Sequence, residues 1–154
     1  MANLTGANLL NANLADATLG SADLTGAYLL GADLADATLA GARLVDADLT
    51  FVNLTGVILF GEDLSRANLT GATLAGADLT GVDLTGVNLF CANLTDADLT
   101  VATLADADLT GADLTRAELT QEQIYGAAGG DRSTVLPTEV QRPTNWDSGR
   151  TACE

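Results

Sequence analysis

Leucine occupies every fifth position from Leu4 to Leu119 without interruption, and Ile124 extends the series. An α-helix and a flat strand both rotate a five-residue repeat off any single face. The pattern therefore predicts a chain that turns by nearly a right angle in each repeat. Four sides close a square lap of about 20 residues, and stacked laps make a solenoid.

The other positions of the unit follow the same beat. Two residues before every leucine but Leu64 stands a small residue, usually alanine (Ala2, Ala7, Ala12), with valine at Val52, Val57, Val82 and Val87. The residue just before leucine is commonly Asp or Asn, and the one after it is often Thr. Two residues after leucine comes Gly or Asp at many repeats, as at Gly6, Gly26 and Asp16. Leucine and its small partner would line the lumen as stacked ladders. Glycine suits the corners because it tolerates positive φ, and Asp, Asn and Thr can bond nearby backbone at bends. Glu62 departs from the pattern by standing where the small inward residue belongs. An ionised carboxylate in an apolar bore is costly, so a local backbone adjustment sending Glu62 to solvent is expected.

The unit A-(D/N)-L-x-x resembles the pentapeptide-repeat family over about residues 2–125. That resemblance implies an all-β, right-handed quadrilateral β-helix with four pentapeptides per coil. About six coils at the strand spacing would make a rod of about 29 Å. The expected domains are the solenoid at 1–125 and a cap with an irregular tail at 120–154.

An open coil end leaves unpaired backbone groups, which solenoids usually cover. Thr120-Gln121-Glu122-Gln123 fits a capping box, with Thr120 as N-cap and Gln123 at the third position. It predicts a short helix near 121–128, stopped by Gly129 and Gly130. The segment from Leu119 through Leu136-Pro137 and Arg142-Pro143 to Trp146 resembles the C-terminal caps of bacterial members of the family. It is expected to fold back on the last coil, with Thr120, Gln123 and Trp146 as its key residues. At the other end Met1 leads straight into the first unit, so a homodimer through that uncapped coil is one expectation.

Charge narrows the functions. The chain carries 21 acids against 6 bases, a net of −15, with neither lysine nor histidine. Such a body repels nucleic-acid phosphates and anionic membranes, and attracts basic protein surfaces. No stretch reaches the roughly 20 apolar residues of a membrane span, and no leader precedes the repeat, so a cytoplasmic location is expected. Cys91 and Cys153 have neither disulfide-framework nor metal-ligand spacing and are read as free thiols in a reducing compartment.

If the phase never slips, residues 20 apart share a face. The side through Leu4 collects Asp23, Asp46, Glu62, Asp63, Asp83, Asp106 and Glu122, an acidic face. The side through Leu9 has only Asp48 and Asp108 as charges, and it presents Leu10, Tyr28, Leu30, Phe51 and Phe90 with Cys91 beside them. Exposed apolar clusters of this kind mark interaction surfaces, so this side is the candidate interaction face, toward a partner or a second copy. No histidine is available as base or metal ligand, the glycines recur as corners, and no loop gathers acids as a calcium site does. No catalytic residue, metal site or cofactor is therefore expected. Neighbouring acids such as Asp46 and Asp48, and the Asn-Leu-Thr sequons, arise from the repeat itself. The expected function is a non-enzymatic scaffold for a protein partner. The alternative, implied by the resemblance, is a DNA mimic that binds gyrase or a related topoisomerase, as quinolone-resistance members of the family do.

Overall fold

The computed structural model describes residues 1–147 and 153. Each repeat contributes one bridging residue and one turn. The bridges are parallel and join residues 20 apart, from Asn3 with Asp23 up to Asp98 with Glu118. The lap is thus four pentapeptides long throughout the body, and each lap hydrogen-bonds to the next.

The corners explain the five-residue beat. Ala7 N–H donates to the Leu4 carbonyl at 2.9 Å, closing a four-residue turn, and the same bond recurs at Ala12 to Leu9 and onward. The third residue of each turn has positive φ at every fifth position from Gly6 to Arg116. A positive φ at the third position defines a type II turn, which favours Gly and tolerates Asn or Asp. The Asp or Asn before leucine acts on the same corner: Asn3 Oδ1 accepts from Thr5 N–H at 3.1 Å, and Asp98 Oδ1 accepts from Thr100 N–H at 2.8 Å. These short side chains take up an N–H that the turn leaves unpaired. Bulky residues do occupy the strained corner, notably Phe51 and Val101.

Inside, the ladders are dry. Leu24, Leu49, Leu69 and Leu94 are fully buried, as are Ala27, Val52 and Ala72. The first lap differs, since Leu4, Leu9, Leu14 and Leu19 have a neighbour on one side only and are partly buried.

Among the described residues of the body the inter-lap ladder lacks the bridge between Arg43 and Asp63. Glu62 lies beside it, partly buried, and its carboxylate accepts from Gly41 N–H at 2.5 Å on the lap below. That contact is how the fold accommodates the charge. Glu62→Ala restores a small residue to the ladder and is expected to stabilise the protein by about 1 kcal/mol. A denaturation midpoint unchanged or lowered relative to the parent would refute this.

Beyond the repeats lies a single turn-and-a-half of helix, α1 (Gln121–Gly126), with Thr120 as N-cap and a complete capping box to Gln123. Gln123 also donates through Nε2 to the Leu99 and Ala102 carbonyls, at 2.7 and 2.9 Å, so it ties α1 to the lap beneath. The helix stops at Gly126, earlier than the glycine pair suggests. Gly129 and Gly130 do other work. Gly129 continues the ladder, its carbonyl accepting from Leu109 N–H at 2.8 Å. Gly130 leaves room for Trp146, whose ring would lie 2.3 Å from any Cβ added there. Val135 then pairs with Ala112 and Leu114, and Trp146 is buried. The tail lies against the last repeats, and its backbone meets groups that the final lap would otherwise leave open.

Candidate interaction faces

The side through Leu9 is built by the register itself. Asn8 bridges to Tyr28, and Tyr28 to Asp48, so each successive lap places its outer residues over those before. Leu10 and Leu30 hold equivalent places in adjoining laps, with Tyr28 beside them. Leu10, Tyr28 and Phe51 are 52%, 57% and 64% exposed, values far above those of the lumen residues. Phe51 sits at a corner, and its ring lies across Gly71, where an added Cβ would be 2.4 Å from the ring. Phe90 is half-buried. Together with Phe51, Thr70, Gly71, Cys91 and Cys153 it lines an open recess of about 350 Å³.

The five apolar residues are not one continuous strip. Between Leu30 and Phe90 the column carries Thr50 and Thr70, joined in a polar chain. Asn68 Nδ2 donates to Thr50 Oγ1 at 2.9 Å, Thr50 Oγ1 donates to Asp48 at 2.5 Å, and Thr70 Oγ1 donates to Asn68 at 2.6 Å. The face therefore divides into a lower patch of Leu10, Tyr28 and Leu30 and an upper recess walled by Phe51 and Phe90.

The two cysteines require a correction. They are not free thiols but a disulfide, Cys91 to Cys153, across 62 residues of sequence. Folding of the tail onto the body brings Cys153 to the corner column that runs through Cys91 and Gly111. Linear spacing carries no trace of that return.

On the acidic side Asp23, Asp46, Asp63 and Asp83 have hydrogen-bond partners. Asp23, Asp63 and Asp83 accept from the N–H groups of Thr25, Ser65 and Thr85 at 3.1, 2.9 and 2.9 Å. Asp46 receives a two-pronged contact from Arg66 in the next lap, at 2.8 Å on each oxygen, and on the side through Leu14 Asp96 is gripped by Arg116 in the same way. Both pairs are largely exposed and add little stability. Asp106 is a corner residue with φ 58°. Side-chain and backbone donors from the following Thr or Ser hold Asp23, Asp63 and Asp98 below the usual carboxylate range. Asp131 is buried in the tail. Burial pushes its carboxyl up, yet bonds from Ser133 and Thr134 outweigh this and hold it low.

A pH dependence follows. These groups bind protons less readily folded than unfolded, so their stabilisation is complete above about pH 4 and is lost as pH falls through the folded values. Asn at positions 23 and 98 keeps the accepting oxygen without a titrating proton. The double variant D23N/D98N is expected to lose less stability than the parent between neutral pH and the acid range. Parallel denaturation curves for the two proteins at every pH would overturn this assignment.

Among the described residues no group of three or more His, Cys, Asp or Glu could hold a metal ion, and no helix is long and apolar enough to cross a membrane.

Sequence comparison agrees with this geometry. Pentapeptide repeats, in eight copies, match residues 2–29, 27–65, 47–86, 63–100 and 92–121. The chain belongs to the pentapeptide-repeat family. Among solved structures this pentapeptide-repeat protein is similar to HetL of the cyanobacterium Nostoc sp. strain PCC 7120, a protein involved in regulating heterocyst differentiation. The identity is 34% over 88% of this chain and 64% of HetL, with a TM-score of 0.68. It thus spans less than two thirds of HetL's length. A pentapeptide-repeat protein of the Arabidopsis thaliana thylakoid lumen is 30% identical over 73% of this chain and 74% of its own, with a TM-score of 0.49. Rfr23 of Cyanothece 51142 is 27% identical over 87% and 90%, with a TM-score of 0.46. No curated protein matches. Membership of the family and the likeness to HetL imply a right-handed β-helix solenoid, in agreement with the four-sided lap.

Proposed function

We propose that this pentapeptide-repeat protein is a non-enzymatic scaffold that binds a protein partner through the side of its rod bearing Leu10, Tyr28, Leu30, Phe51 and Phe90. In this reading about six coils form the rod, α1 and the tail through Thr120, Gln123 and Trp146 form its cap, and nucleic acid is not a direct ligand. The observation that carries the proposal is the exposure of Leu10, Tyr28 and Phe51 on a side that is almost free of charge. Solvent-facing apolar groups in two patches on a rigid rod offer contact area with little backbone left to order. The test is the full chain with L10D/L30D/F51D, compared with the parent by cross-linking in the source cells and by sedimentation. Loss of a cross-linked protein, or of a second copy, supports the face. An unchanged set of species in both measurements overturns it.

Mimicry of duplex DNA toward gyrase has weaker support. Asp23, Asp63 and Asp83 serve turn hydrogen bonds and Asp46 serves an arginine, so four of the seven acids on this side have a role within the fold. Gyrase supercoiling is expected to proceed unchanged in the presence of micromolar protein.

A further inference from the structure

We propose that the corner at Asp36 is a receptor for an arginine side chain carried by a protein partner. It lies where the sides through Leu14 and Leu19 meet, away from the apolar face proposed above, so neither site depends on the other. The rod contains its own template for such a contact. Asp46 takes both prongs of Arg66, and Asp96 takes those of Arg116, each pair formed by residues 20 apart. All four residues sit at the positive-φ position of their turns. A corner aspartate in this fold is thus placed to accept a guanidinium from the corner one lap above. Asp36 holds the same position, with φ 55°. The corner above it is Gly56, which supplies no guanidinium, and Gly76 follows before the column reaches Asp96 and Arg116.

A recess of about 310 Å³ opens at this bare corner. Asp36 Oδ1 lies 2.9 Å from where a Cβ on Gly56 would stand, so the carboxylate leans over the position that an arginine fills elsewhere. Along the side from it, Ile58 pairs over Thr38 and is 60% exposed, with Phe60 exposed as well. Short Thr38 and Ala40 leave the space between acid and apolar wall. An arginine suits this combination. Its stem covers Ile58, and its planar fork gives the carboxylate two parallel hydrogen bonds, whereas lysine offers only a strongly hydrated point charge. Asp16 stands at the same corner one lap below, at about the 4.8 Å strand spacing, and its charge further favours a cation. On the side through Leu19 no outer position before Asp78 is charged. An apolar neighbour of the arginine therefore meets Ile58 and Phe60 without stripping water from a charge. The chemistry that fits is an arginine beside an apolar residue on a protein segment.

The test is an NMR titration of the isotope-labelled full chain with a short blocked peptide carrying one arginine between leucine and valine. The amides of Asp36, Gly56 and Ile58 are expected to shift together, saturating in the millimolar range. Lysine in place of the peptide's arginine should weaken binding about fivefold, and D36N in the protein should do the same. Asn11 holds the equivalent turn position at φ 52°, so asparagine is tolerated there. G56R is expected to abolish the titration by gripping Asp36 as Arg66 grips Asp46. Arg66 and Arg116, at φ 58° and 57°, show that this turn position accepts arginine. Equal affinity for the arginine and lysine peptides would mean a general attraction to an acidic rod and would overturn the site. Parent-like binding by D36N, or by G56R with unchanged circular dichroism, would overturn it too.

Discussion

Replacing Leu69 by alanine is expected to cost about 3 kcal/mol of stability, with a greater loss for the more polar Leu69→Asn. Leu69 is fully buried mid-rod, with a leucine in the same place one lap below and one lap above. The inter-lap bonds from Leu69 N–H to the Asn88 carbonyl and from Leu49 N–H to the Asn68 carbonyl, both at 2.8 Å, fix the spacing of these laps. The walls therefore cannot close on a cavity, and the full loss of packing is felt. The same change at Leu14 is expected to cost about half as much, because that side chain is only partly buried and has one neighbouring lap. Chemical denaturation followed by circular dichroism compares the two. Equal losses at Leu14 and Leu69 would contradict a core assembled by lap-on-lap stacking.

Removing the disulfide is expected to have an effect of similar size by another route. The bond joins residues 62 apart, and in the chain-entropy account a loop of that length restricts the unfolded chain by about 4 kcal/mol. C91S/C153S should therefore melt well below the oxidised parent, and dithiothreitol should lower the parent to the same point without affecting the variant. Since the penalty falls on the unfolded state, native circular dichroism should not change. A melting temperature insensitive to reductant would show that the bond does not form in solution.

The two effects separate what was readable along the chain from what was not. The leucine beat, the small residue before it and the Asp, Asn and Gly at the bends are local demands, repeated so often that they leave one geometric solution. Each type II corner is written in its own five residues, so the lap of 20 followed without any long-range information. The Thr120–Gln123 capping box is equally local. Glu62 was legible as an offence against the pattern, but its remedy, an N–H on the lap below, lies 21 residues away.

The binding side shows the same boundary. Periodicity alone assigns Leu10, Tyr28, Leu30, Phe51 and Phe90 to one side, since outer positions 20 apart must align. It does not show that Thr50, Asn68 and Thr70 join into a polar chain, or that the Phe51 ring lies across Gly71. Rotamers and cross-lap hydrogen bonds decide those.

By itself, then, the sequence determined the rod, because a repeated short-range rule has one way to bury its leucines. Only the tertiary structure decided the ends and the chemistry. The tail after Gly126 obeys no period, so its return to the last laps, the seat of Trp146 on Gly130 and the meeting of Cys153 with Cys91 depend on contacts between residues far apart in the chain.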